Sequence, residues 1–142
     1  MKDLMRAIDY VETRDDFDSD KLGYFGFSWG ARLGNIALAL DRRLEVGILL
    51  AGGFNAQAPR PEVSETHYAS RVRVPVLMLG GSHDVVFPLE TSQKLMFSLL
   101  GTPDEHKRHV VFDTGHAILR LHRGRAFKEM LDWLDRYLGP IE

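Results

Sequence analysis

Leu22-Gly23-Tyr24-Phe25-Gly26-Phe27-Ser28-Trp29-Gly30-Ala31-Arg32-Leu33 is the stretch from which the rest of the chain is read. An apolar, aromatic run enters Gly-x-Ser-x-Gly, and small residues at helical spacing follow. This is the order strand, sharp turn, helix. A serine in such a turn takes a strained backbone so that its hydroxyl stands clear of the sheet. The pattern predicts that Gly26 and Gly30 are present because a side chain at either position would collide. It also sets Ser28 at a helix N-terminus, where free N–H groups and the dipole favour negative charge. An incidental serine in a glycine-rich turn gives the same five residues, so the motif alone does not separate the two.

Outward from this turn, apolar runs alternate with helical patterns. Residues 2–14 read as a helix, with Leu4, Met5, Ile8 and Val11 on one side. Asp15 to Asp20 reads as a polar turn. Asp16, Asp18 and Asp20 alternate like the start of a calcium loop, but Lys21 stands where glycine is needed and Phe27 where glutamate is needed. The expected strand spans 22–28 and the expected helix 29–42. Val46 to Ala51 is a continuous apolar run, as in a strand buried on both faces of a parallel sheet. Residues 53–73 form the longest irregular stretch, broken in its first half by Pro59 and Pro61, with a short helical pattern from Val63 to Ser70. Val74 to Leu79 reads as the next strand. Pro88 then opens a helix over 89–100, which Gly101 and Pro103 stop. His109 to Asp113 reads as a short strand, and a last helix over about 122–138 ends at Gly139-Pro140. The alternation predicts an α/β fold with a mainly parallel sheet of about four strands flanked by helices, forming one domain over 1–142.

Composition narrows the function. The 142 residues carry a formal net charge of −2, which gives no basic excess for nucleic acid. No apolar run approaches membrane-spanning length, and the N-terminus lacks a signal-peptide stretch, so the expectation is a cytoplasmic protein with no membrane partner. There is no cysteine, which removes disulfides, thiolate nucleophiles and cysteine–metal sites.

Three chemically capable side chains fall just beyond the C-terminal ends of expected strands: Ser28, Asp84 and His116. That end of a parallel sheet is where open α/β folds build sites. A serine hydroxyl needs a base to act as a nucleophile near neutral pH. A neutral imidazole can take its proton and return it, and a buried carboxylate fixes the imidazole tautomer. His83 adjoins Asp84, and Asp113 lies close to His116, so each is an alternative partner. His67, His106, His109 and His122 sit in polar contexts and are expected to be exposed. The side chain of Trp29 either lines the site or packs on the following helix.

Here the sequence resembles the α/β-hydrolase superfamily, in particular its dienelactone-hydrolase-like and prolyl-oligopeptidase-like serine esterases and peptidases. The resemblance rests on Gly26-Phe27-Ser28-Trp29-Gly30, on Val74 to Leu79 followed by Gly81-Ser82-His83-Asp84-Val85-Val86-Phe87-Pro88, and on Asp113-Thr114-Gly115-His116. It implies Ser28 as nucleophile, Asp84 as acid, His116 as base and the Trp29 backbone N–H as one oxyanion donor, with no metal or other cofactor. It covers only the C-terminal half of that fold. The missing half would supply the first strands and a second oxyanion donor, for which a residue of the 53–61 loop or another subunit would have to substitute. The implied substrate is a small, short-acyl ester, cleaved by a serine carboxylesterase. A non-catalytic association module or a fragment of a multidomain protein is the second reading, and a peptidase the third. An unpaired apolar 22–28 edge and an uncovered sheet face would favour a homodimer or higher oligomer.

Overall fold

The computed structural model describes residues 1–55 and 60–140. Pro59, expected to break the long connection, lies outside the described residues. The elements run α1 (Lys2–Val11), β1 (Leu22–Phe27), α2 (Trp29–Leu40), β2 (Leu44–Leu50), α3 (Glu65–Ala69), β3 (Val76–Gly81), a π-helical turn (Leu89–Gln93), α4 (Lys94–Leu99), β4 (Lys107–Phe112), α5 (Ile118–Leu121) and α6 (Arg123–Leu138). Short 3₁₀ turns precede β1, α3 and β4.

The four strands lie in the order β1-β2-β3-β4, all parallel. Their C-terminal ends align: Phe27 sits opposite Leu50, and Leu50 opposite Leu79. The ladder continues past the strand ends, because Ser28 N–H donates to the Leu50 carbonyl (2.8 Å) and Ala51 N–H to the Leu79 carbonyl (2.7 Å). One rim of the sheet is thereby fixed in register. The parallel arrangement follows from the sequence: β2 and β3 are apolar on both faces, and helical crossovers cover both.

Two apolar layers fill the space above and below the sheet. Ala31, Ala37, Leu38, Leu49, Met78 and Met96 pack on the α2 side. Val46, Ile48, Leu50, Leu77, Leu79, Phe112, Met130 and Trp133 pack on the α6 side. An arginine fastens α1 to the sheet. Arg43 donates to Asp41 through Nε (2.8 Å) and Nη2 (2.6 Å), and through Nη1 to Asp9 (2.8 Å) and Glu12 (2.6 Å). The cluster holds the Asp9 and Asp41 carboxyls below their usual range, chiefly through these Arg43 hydrogen bonds.

Several boundaries differ from expectation. α1 stops at Val11 rather than 14, where the Thr13 hydroxyl takes the Tyr10 carbonyl. β3 begins at Val76 rather than Val74, since Pro75 has no N–H to give the ladder and contributes only its carbonyl, to Gly47 N–H (2.8 Å). The expected 89–100 helix opens as a π-helical turn before continuing as α4. Asp16 and Asp18 serve the turn itself: Asp16 bonds Arg14, and Asp18 accepts the Asp20 N–H (3.1 Å). Among the described residues, no helix is long and apolar enough to cross a membrane.

Candidate active site

The turn after β1 has the strain its glycines imply. Ser28 adopts φ 53° and ψ −111°, a region L side chains rarely enter, as the N-cap of α2. Backbone bonds hold it there on both sides: its N–H goes to Leu50, and its carbonyl accepts the Arg32 N–H (3.0 Å). A Cβ on Gly26 would lie 2.5 Å from the Gly30 carbonyl group and 2.7 Å from the Ala31 nitrogen, so only glycine fits. Gly30 departs from expectation, because a Cβ there would meet nothing within 4 Å. The clash argument therefore holds for Gly26 and fails for Gly30.

The loop after β3 delivers the acid. Asp84 is buried, and its Oδ1 accepts the backbone N–H groups of Val86 (2.8 Å) and Phe87 (3.0 Å). Two fixed donors leave Oδ2 aimed at His116 Nδ1, 2.8 Å away. The turn after β4 delivers the imidazole, whose Nε2 lies 2.8 Å from Ser28 Oγ. A buried carboxylate only accepts, so Nδ1 carries the proton and Nε2 is free to accept from the serine hydroxyl. The ring sits between two aromatics, with centroids 5.7 Å from Phe27 and 6.0 Å from Phe87. Three side chains far apart in sequence thus form one hydrogen-bonded line at the rim.

The alternative partners pair with each other instead. His83 Nε2 donates to Asp113 Oδ1 (2.9 Å), on the exposed surface. The Trp29 amide heads α2, with no backbone acceptor among the described residues, while the residue is 66% exposed. Of the 53–61 segment, residues 56–59 lie outside the described residues. Gly53 and Phe54 are buried beneath the acid loop, where Ser92 Oγ donates to the Phe54 carbonyl (2.7 Å).

His67 is exposed as expected, but His106, His109 and His122 are half-buried. Burial, assisted by Lys94, pushes the His109 imidazole down to about 4 from 6.5. Ring packing explains the difference: His106 meets Tyr137 (5.8 Å) and His122 meets Phe112 (5.3 Å). His109 stands on β4 beneath the ring of Phe97 (5.6 Å) and against Gln93 (3.3 Å). Nothing in the sequence marks Gln93 as a site residue. A glutamine in an amphipathic helix reads as surface, and only Gly80 on the facing strand hints that a side chain enters there.

Residues 1–138 match the model of the dienelactone hydrolase family. The chain belongs to that family. It is 28% identical to an uncharacterised protein of Mycobacterium tuberculosis, over 96% of this chain and 51% of the relative. It is 25% identical to a candidate carboxymethylenebutenolidase of Methylorubrum extorquens, over 96% and 50%. Among solved structures it is similar to a cold-adapted esterase from an Arctic intertidal metagenomic library, at 25% identity and TM-score 0.77, over 96% of this chain and 56% of that one. A candidate dienelactone hydrolase of Klebsiella pneumoniae, at 23% identity, shares the fold with TM-score 0.79, over 95% and 60%. The chain spans about half the length of the curated relatives it matches.

Proposed function

We propose that this chain is a serine hydrolase of carboxylic esters, a carboxylesterase acting on small, short-acyl substrates through an acyl-enzyme. The observation that carries the reading is the line Ser28 Oγ, His116 Nε2, His116 Nδ1, Asp84 Oδ2, with both contacts at 2.8 Å. As Ser28 Oγ bonds to the ester carbonyl carbon, His116 Nε2 takes the hydroxyl proton. The carbonyl π electrons move to oxygen, and the Trp29 N–H at the head of α2 faces the resulting oxyanion. Collapse re-forms the carbonyl, breaks the bond to the alkoxy oxygen and expels an alcohol that leaves with the His116 proton. Water then attacks the acyl-serine with His116 again as base, releasing the acid and restoring Ser28. Asp84 keeps the imidazole in one tautomer and stabilises its charged form. The relatives' names, an esterase and a carboxymethylenebutenolidase, point to the same acyl–oxygen bond. Ser28→Ala is expected to abolish hydrolysis of a short p-nitrophenyl ester by the purified chain. Turnover retained in that variant contradicts the mechanism.

A second reading, a module retained for association, draws on a different observation. β1 ends the strand order, and Phe25 and Phe27 are 56% and 48% exposed on it. We propose that a second copy covers this edge, a role compatible with hydrolysis or independent of it. Light scattering at micromolar concentration reads the association, and a stable monomer contradicts it.

A further inference from the structure

The acid loop is held by a side chain that touches neither Ser28, His116 nor Asp84. Gln93 is fully buried in the π-helical turn. Its Nε2 donates to the Gly81 carbonyl (2.9 Å) and the Phe87 carbonyl (2.8 Å), the two residues that bracket the segment carrying Asp84. Its Oε1 faces His109 Nε2 (3.3 Å). Every polar atom of the amide is used, and reversing it would set an oxygen against two carbonyl oxygens, so the network fixes its orientation.

The surroundings are shaped to admit this side chain. The π-helical turn is widened, with the Gln93 and Lys94 N–H groups reaching back five residues to Pro88 and Leu89. Ser92 and Gln93 are consequently both directed inward, and π-helical turns concentrate at functional sites. On the strand opposite, a Cβ at Gly80 would stand 1.8 Å from Gln93 Oε1 and 2.9 Å from His109 Nε2. Glycine at 80 is therefore the condition for the amide to enter. Burial keeps His109 neutral near pH 7, so its Nε2 can carry the hydrogen that Oε1 accepts.

We propose that Gln93, seated on His109, is a positioning residue: it clamps Gly81 and Phe87 so that the Asp84 carboxylate stays aimed at His116. The inference rests on reading Ser28, His116 and Asp84 as catalytic. Phe87 is the transmitting residue. Its carbonyl is held by Gln93, its N–H donates to Asp84 Oδ1, and its ring lies beside His116. Removing the amide leaves the buried Phe87 carbonyl without its donor and the Gly81 carbonyl with only the longer bond from the Asp84 N–H (3.3 Å), and the loop must rearrange to satisfy them.

The test compares Gln93→Leu with Val72→Ala, a buried substitution on the α2 side far from the loop, after both have been ranked by urea unfolding. Two readouts are taken: ester kinetics, and the downfield NMR resonance of the His116 Nδ1 proton shared with Asp84. Gln93→Leu is expected to lower kcat about 10- to 100-fold with KM within about twofold, the loss expected of a misplaced catalytic group. Its Nδ1 resonance is expected to broaden or vanish, while Val72→Ala keeps both signals. Unchanged kcat and resonance in Gln93→Leu overturn the proposal, as does an equal loss in Val72→Ala of matched stability. If Gln93→Leu does not fold, His109→Phe replaces it, removing only the bond to Oε1. A severalfold fall in kcat with a perturbed resonance then supports the clamp, and no change in either refutes it. Absence of turnover in the unaltered chain counts against the hydrolase reading alone, because the resonance comparison still decides whether Gln93 aligns Asp84 with His116.

Discussion

Strand β1 presents two faces that have been treated oppositely. Toward α2, Tyr24 packs against Gly34, and its hydroxyl donates to the Gly30 carbonyl (2.7 Å). Gly26 on the same face lets the first turn of α2 sit against the strand. Toward α6, Gly23 and Phe25 line an open trough with Leu131, Leu134 and Leu138, of about 420 Å³, and Phe27 lies beyond it beside Leu119 and Arg120. On that side α6, with Ile118 of α5, packs chiefly on β2 and reaches β1 only at Gly23, leaving Phe25 and Phe27 exposed. The covered face is where the serine turn is built, and the open face reaches the site only through the Phe27 ring beside His116 (5.7 Å). The site geometry depends on local backbone bonds at the rim. The exposed Phe25 ring is the apolar surface on which the proposed association is tested.

Asp84→Asn is expected to lower ester hydrolysis by about 10³- to 10⁴-fold without unfolding the chain, because the amide no longer selects the imidazole tautomer that Ser28 needs. Kinetics with a short ester beside a circular dichroism spectrum checks both halves of the statement. A loss below tenfold would show that His116 is oriented by something other than Asp84.

Gly26 and Phe25 are neighbours in sequence on opposite faces. Gly26→Ala forces a methyl against the Gly30 carbonyl and should destabilise the fold by about 1–3 kcal/mol in urea unfolding.

The pH dependence probes the α2 side at β4. The folded-state value of His109, about 4, lies below the ordinary 6.5, so the unfolded chain binds this proton first as pH falls. Stability should therefore drop as pH is lowered from about 6.5 toward 4, by on the order of 1–2 kcal/mol after allowance for the partial exposure of the ring. Urea midpoints at pH 7 and 5 measure it, and His109→Phe should remove this part of the slope.

The smallest effect belongs to the bare face. Phe25→Thr should change monomer stability by no more than about 0.5 kcal/mol while weakening any self-association. A large loss of stability there would mean that the ring is packed in the folded monomer.

Much of this was legible beforehand. Ser28, Asp84 and His116 could be read because each follows an apolar run, and parallel strands bring their C-terminal ends to one rim. Strand ends were read less well where one residue sets the ladder, as Pro75 does for β3. The motif does not reveal which of its two glycines faces open space, and it is Gly30 that does. Gln93 and His109 were hidden for a common reason. Each is polar on an amphipathic element, and what buries it, Gly80 or Phe97, comes from elsewhere in the fold. Periodicity reports which face of an element is apolar, and does not report a polar side chain matched to a gap on a distant strand.

The account stands most directly on the reactivity of one hydroxyl. Treating the purified chain with a fluorophosphonate probe and locating the adduct by peptide mass spectrometry tests it. A single adduct on Ser28, absent in His116→Ala, is the predicted result. No adduct, or one that forms equally well without His116, would contradict it.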